Sequence, residues 1–266
     1  MFSSAEAAWR GTRPAALRLS GIWLLRGCSV ALFLGLWEVA GLIPISIAFP
    51  TFSETFAVLL EMVADGRMGK AYSFTLQPLV IGVGLSAVFG VALGVLLGLS
   101  RSFEWFWVPL FIVMQAAPMA ALIPLVTFVY GIGVTAKVVS VIIMAAPIIV
   151  LNAYKAVRHA NPSLVQMCRS FQGTRWQEIV KVIVPDASPL IFAGLRLGVA
   201  AGFIGVILAE LLITPTGIGD LITYHRSVAE YPEMYAAIFS IIVFSAITVG
   251  LLEKVEVLLF RPEKKG

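Results

Sequence analysis

Long apolar runs separated by short polar ones dominate the chain. Runs from about Gly27 to Ile47, Tyr72 to Leu99, Trp107 to Tyr130, Val134 to Tyr154, Leu190 to Leu212 and Met234 to Leu259 each reach the roughly 20 residues that a bilayer-crossing α-helix needs. The pattern therefore predicts an all-α membrane protein with six transmembrane helices. Phe49 to Asp65 is different. Thr51 and Glu54 form a capping box, and Phe56, Leu59, Leu60 and Val63 recur at helical spacing, but the run is too short to span and is expected to lie along the outer face after the first helix. The second run carries Gly82, Gly84, Gly90, Gly94 and Gly98, small residues that let helices pack closely in lipid. Prolines 109, 118, 124 and 147 interrupt the third and fourth; each either kinks a packed helix or frees carbonyls toward a cavity.

One long polar stretch, Asn161 to Pro189, breaks this pattern between the fourth and fifth spans. Asn161 is a good helix cap and Pro162 suits the first helical position. Leu164, Met167, Cys168 and Phe171 then fall on one face, with Gln166, Arg169 and Ser170 elsewhere, and Gly173 is the expected stop. Thr174 opens a capping box with Gln177, which predicts a second short helix ending near Pro185. Amphipathic helices in such a loop lie either on the membrane surface or in a groove of a soluble partner.

Composition agrees with the membrane reading: 59% of the 266 residues are hydrophobic and 13% charged, and the mean hydropathy is +0.95. The net charge of +4 follows the bilayer and calls for no nucleic acid. With six spans, fifteen Lys and Arg fall on the side of the termini and the Asn161 loop. Four (Arg67, Lys70, Lys137 and Arg226) fall on the other. The basic side is cytoplasmic by the positive-inside rule. Residues 1–27, with Arg10, Arg13, Arg18 and Arg26, read as a basic amphipathic segment on the cytoplasmic surface rather than a signal peptide. Residues 28–260 are expected to form the six-helix membrane domain, with the loop at 161–185, and 261–266 a cytoplasmic tail. Cys28 and Cys168 are both expected near the cytoplasmic face, so neither a disulfide nor a metal site is expected from them.

The loop resembles that of the membrane-spanning subunits of bacterial ABC importers, the binding-protein-dependent transport permeases. Their motif is Glu-Ala-Ala, three residues, Gly, nine residues and Ile-x-Leu-Pro. Here Gln166-Met167-Cys168, Gln172 and Val182-Ile183-Val184-Pro185 keep that spacing without the Glu and the Gly. Gly173, one residue later, is expected to supply the left-handed helix end. Arg169-Ser170-Phe171, Thr174-Arg175-Trp176, Phe192 to Leu197, Ala209-Glu210-Leu211-Leu212 and Gly217 to Ile222 are similar to the nitrate, sulfonate and taurine branch, as are Phe49-Pro50-Thr51 and Gly131-Ile132-Gly133. The resemblance implies a permease subunit in a bacterial inner membrane, working as a homodimer with two ATPase subunits and a periplasmic binding protein. Residues Leu164, Gln166, Met167, Cys168, Arg169, Ser170, Phe171, Gln172 and Gly173 would couple it to the ATPases. It also implies a small solute such as nitrate, a sulfonate or taurine, selected largely by the binding protein.

No catalytic constellation and no phosphate-binding loop is present, so ATP and Mg would be held by the partner chain and this chain would bind no cofactor. His159 and His225 are expected on opposite faces and form no pair. Acids within the spans are Glu38 and Glu210, each either a functional group or a packing tie. Glu210 lies near the bent Thr214 to Ile222 segment, expected at the outer mouth, whose Gly217 and Gly219 join Gln77, Gln115, Thr127 and Ser140 as pathway or gate candidates. No basic residue is expected deep in a span. A gradient-driven transporter or channel is the competing class; it would call for paired acids or a half-to-half repeat, and neither is apparent.

Overall fold

A computed structural model of the chain describes residues 15–43, 46, 48–213 and 215–260. Residues 1–14, the greater part of the expected basic segment, and the tail 261–266 lie outside the described residues, as does Thr214. Every regular element among the described residues is helical. In chain order these are α1 (Ala15–Leu42), α2 (Phe52–Ala64), α3 (Arg67–Leu99), α4 (Arg101–Ala116), a 3-10 turn (Met119–Leu122), α5 (Ile123–Tyr130), α6 (Val134–Arg158) and α7 (Pro162–Ser170). There follow α8 (Arg175–Glu178), a π-helical turn (Ile179–Ile183), α9 (Val184–Leu212), α10 (Ile218–Ser227) and α11 (Tyr231–Phe260). Five stretches are long and apolar enough to cross a bilayer: α1, α3, α6, α8 through α9, and α11. The pair α4–α5 makes a sixth when counted as one bent span.

Two boundaries differ from the expected ones, and prolines explain both. The third apolar run is broken, bending by 87° between its halves. Pro118 cannot donate an N–H to continue α4, and the clash of its ring with Ala117 holds that residue in the extended region at ψ 147°. Pro185, by contrast, does not end a helix: residues Arg175–Leu212 run on as one. The wider π turn before it places Pro185 in the first turn of α9, where a missing N–H costs little. Pro189 leaves the carbonyl of Pro185 without its helical donor, and the Ser188 hydroxyl takes that place at 2.7 Å.

The centre of the bundle is α6, which runs between α3 and α9. Glycines on both neighbours let their backbones approach it closely. A β-carbon on Gly94 of α3 would lie 2.6 Å from the carbonyl oxygen of Val150, and one on Gly98 2.6 Å from Cβ of Val157. From the other side, a β-carbon on Gly194 of α9 would meet Cβ of Asn152 at 2.5 Å, and one on Gly205 the Ser140 carbonyl at 2.9 Å. Gly84, grouped with the packing glycines by its spacing, points away from this contact with nothing within 4 Å.

The main core cluster sits at the end of the bundle remote from the Asn161 loop, where Met62, Leu79, Val141, Phe203, Val206, Ile218 and Ile241 meet. The capping box at the start of α2 forms as expected, with Thr51 Oγ1 accepting from Glu54 N and Thr51 N donating to Glu54. This helix turns Thr55 and Met62 inward and leaves Phe56, Leu60 and Val63 exposed, which suits an element lying against lipid. Helix α1 is anchored near its C-terminal end. Trp37 packs against Phe49, Phe52, Tyr235 and Phe239 and donates its indole N–H to the Pro50 carbonyl at 3.2 Å.

Because the α3–α6 contact has no spare space, Gly94→Val is expected to cost about 1–3 kcal/mol through overpacking. Gly84→Val is expected to be neutral. Thermal unfolding of the two variants in detergent checks this: the midpoint falls for the first and stays with the parent for the second.

Candidate functional site

The loop between α6 and α8 is assembled from local signals. Asn161 Oδ1 accepts from Ser163 N at 3.0 Å, and Pro162 occupies the first turn of α7. The Asn161 N–H donates to Asp186 Oδ2 at 2.7 Å, which ties the start of α7 to α9. Val165 packs beneath the loop on a cluster of Ala153, Val157, Ile183 and Ala187.

The turn that ends α7 is where the motif's glycine is missing. Gln172 itself adopts the left-handed conformation, with φ 57°, and Gly173 does not. Gln172 N donates to Arg169 O at 2.9 Å and Gly173 N to Cys168 O at 3.0 Å, the two bonds of a Schellman motif. Gly173 is needed for space instead: a β-carbon there would lie 2.5 Å from Cys168 Sγ and 2.9 Å from its carbonyl oxygen. The expected exchange of roles between the two residues is therefore reversed. The bonding pattern fixes which residue must turn left-handed, and it is the one in the motif's glycine position.

Beyond the turn, Thr174 and Gln177 form the expected capping box. Glu178, which the sequence did not single out, holds the two arms of the loop together. Its carboxylate is 5% exposed and accepts from Arg169 Nε at 3.2 Å, from Arg169 Nη2 at 3.1 Å and from Arg175. That hydrogen bonding moves the Arg169 guanidinium further above its ordinary range, so it stays charged. The acid three residues after Arg175 and nine after Arg169 was a visible signal, but the second spacing means contact only once the turn is formed. A cavity of about 280 Å³ lies under the clamp between Leu99, Arg158, Gln166 and Arg169.

This scaffold divides the predicted apolar stripe. Leu164 and Cys168 are half-buried against the protein, while Met167 is 52% and Phe171 81% exposed. Trp176, at 72%, joins them in the exposed apolar set of the loop; its place after a cap at Thr174 was the signal for it. Gln166, Ser170 and Gln172 are exposed as well.

The pathway and gate candidates separate at the other end of the bundle. Gln77 and Gln115 are exposed. Thr127 and Ser140 donate back to Ile123 O and Ala136 O of their own helices, at 3.1 and 2.8 Å. Glu210, Gly217 and Gly219 do come together, around a base that sequence reasoning placed on the outer surface. Lys137, 2% exposed, donates to Glu210 Oε1 at 2.7 Å and to Thr216 O and Oγ1 at 3.0 Å each. Glu210 also accepts from Thr75 Oγ1 at 3.0 Å and from Gly219 N at 3.0 Å. Among the described residues no base lies deep in a span, as expected, but this one at a span's end is buried rather than on the surface. Lys137 sits in the first turn of α6, where a charge count by loops assigns it to the surface, but α9 covers it and supplies the counter-charge. The signal was a lone base and a lone acid near the same ends of two apolar helices.

The bent segment is shorter than expected, because α10 begins at Ile218, which is fully buried. Glu38 has a local role: its carboxylate accepts from Ser53 N at 2.9 Å and from Ser53 Oγ at 2.7 Å, capping the start of α2 from α1. Both cysteines are free. His225 pairs with Glu230 at 2.7 Å and His159 sits beside Lys155 O at the loop end, so they are far apart in the bundle.

Over residues 86–257 the chain matches the family described as the binding-protein-dependent transport system inner membrane component. It is 25% identical over 229 residues to the putative aliphatic sulfonates transport permease of Bacillus subtilis (strain 168), covering 84% of this chain and 83% of that protein. It is 26% identical over 268 residues to the bicarbonate transport permease of Synechococcus elongatus, covering 95% and 94%. Its fold is similar to a chain of the inward-facing MetNI methionine ABC transporter, with a TM-score of 0.59, 19% identity, and 73% of this chain and 95% of that one covered. The match runs through both the clamped loop and the Glu210 region, and the chain belongs to the binding-protein-dependent transport system inner membrane component family, as a permease subunit of an ABC importer.

Proposed function

We propose that two copies of this chain form the translocation pathway for a small oxyanion, of the kind for which the sulfonate and bicarbonate relatives are named. A periplasmic binding protein delivers the solute, and two ATPase subunits dock on the two Asn161–Gly173 loops. The gradient-driven alternative is set aside by the family. The observation that carries the docking assignment is the exposed set Met167, Phe171 and Trp176, on a loop whose own geometry is internally fixed by Glu178 and Asp186. An amphipathic helix held this way presents its apolar side to a groove. Closure of the ATPases on ATP would move the two docked helices and switch the cavity between inward- and outward-facing.

Lys137 is the only buried lysine or arginine among the described residues, and Glu210 neutralises it. The spans therefore add little net attraction for an anion through buried charge, which supports leaving selection to the binding protein. The charge distribution supports a cytoplasmic side for the loop and both termini and a periplasmic side for the α2 and α10 end. Reporter fusions after Gly173 and after Asp65 are expected to read cytoplasmic and periplasmic respectively; an external reading at Gly173 overturns both the orientation and the docking role.

Truncating a buried aromatic anchor at an interface costs about 2 kcal/mol or more, which is more than about tenfold in affinity. Phe171→Ala is expected to keep its membrane yield while the ATPase subunits co-purify poorly and transport falls. Arg169→Ala removes one of the two guanidinium partners of Glu178 but none of the apolar surface, and is expected to lose less. Co-purification and transport at the parent level for Phe171→Ala would place this face on lipid instead.

A further inference from the structure

The contact between α6 and α9 is already made by Gly194, Gly198 and Gly205, and an apolar pair would pack their ends without removing charges from water. The Lys137–Glu210 pair is nevertheless buried there, with side chains 2% and 0% exposed. What it adds is found in its other bonds. Two donations from Lys137 go to Thr216, and the Gly219 N–H comes to Glu210. Thr75 of α3 completes the set: its hydroxyl donates to Glu210 and accepts from Ile218 N at 3.0 Å.

Ile218 and Gly219 are the first two residues of α10, whose N-cap is Gly217 and which has no side-chain cap of its own. Their N–H groups have no partner within the helix and need one from outside. Glu210 and Thr75 supply it, and the negative charge of the carboxylate suits a helix N-terminus. Gly217, at φ 98°, and Gly219 are the residues that permit this, since a β-carbon on either would run into Glu210. The segment 215–219 and α10 are thereby joined to α3, α6 and α9 at once. The other side of α10 carries Tyr224, 56% exposed, and its last turn carries Arg226, also exposed.

We infer that Lys137 and Glu210 are positioning residues that hold α10 as a preset periplasmic surface on which the solute-delivering protein seats. This rests on the orientation proposed above. The pair touches no solute; it acts through α10, so its loss is expected to weaken productive seating while leaving the ATP-driven cycle of the complex intact.

The test uses the whole complex in nanodiscs, with the binding protein added, and the double variant Lys137→Met/Glu210→Gln, which removes both charges and keeps the side-chain sizes. The concentration of binding protein that half-stimulates ATP hydrolysis is expected to rise about tenfold, with unstimulated and maximal rates within about twofold of the parent. In parallel, Ile218→Cys is introduced with Cys28 and Cys168 replaced by serine, and its reaction with a membrane-impermeant maleimide is followed in membranes. That thiol is expected to react about tenfold faster in the double-variant background than in the parent. Thr75→Val, which spares the ion pair and removes only the hydroxyl between Ile218 N and Glu210, is expected to move both readouts in the same direction and serves if the double variant is poorly produced.

Unchanged half-stimulation in both variants overturns the inference, whether or not the thiol becomes accessible. So does a raised half-stimulation with Ile218→Cys still protected, because the effect would then not pass through α10. Loss of the ATPase subunits from the complex, or labelling of Ile218→Cys only after permeabilisation, marks instead a failure of the docking or orientation reading on which the inference rests.

Discussion

The close approach of α3 and α9 to α6 is the contact from which the other features of the bundle follow. Between apolar helices in lipid there is little hydrophobic gain from association, so backbone proximity and van der Waals contact have to supply it. Gly94 and Gly98 on one side and Gly194 and Gly205 on the other provide that proximity, each leaving less than a methyl group's space. With α6 fixed between them, its first turn carries Lys137 against the last turn of α9, and its last turn carries Arg158 beneath the loop. Both polar regions are thus set by one helix and its register.

A second constraint links them. From Arg175 to Leu212 the chain is one helical run of 38 residues, about 55 Å long at 1.5 Å per residue. Trp176 stands exposed at one end and Glu210 is buried near the other. Displacement of the loop by a docked partner would therefore be applied directly to a membrane-spanning element. The π turn at Ile179–Ile183 lies between the loop and the membrane part of this run, and so does the proline that would otherwise break it. The third apolar run, by contrast, is split at Pro118 into two short helices, and Phe128 in its second half is 89% exposed.

The two ion clusters differ in what water does to them. Glu178 is buried, but Arg169 and Arg175 are both more than half exposed, so the clamp adds little to stability as charge and mainly fixes an angle. Lys137 and Glu210 have no solvent exposure to speak of, and every lysine proton has an acceptor. Such a pair is costly to leave half-made, which gives the surrounding segment one arrangement rather than several.

The amino-acid sequence by itself determined the helical membrane class, the polar loop and its caps at Asn161 and Thr174, because hydropathy and capping are properties of a few consecutive residues. The glycine stripe of α3 was also legible from spacing, although spacing alone counted Gly84 with it. The tertiary structure decided the rest. Lys137 and Glu210 are 73 residues apart, and nothing local says that their helices adjoin in register. Gln172 is left-handed and Gly173 is not, because the bonds that close the turn, rather than residue preference, choose the position. Leu164 and Met167 share a helical face in the sequence, yet the packing of α7 on the bundle covers one and exposes the other. Periodicity gives the sides of a helix; only its neighbours determine which side meets protein, partner or lipid.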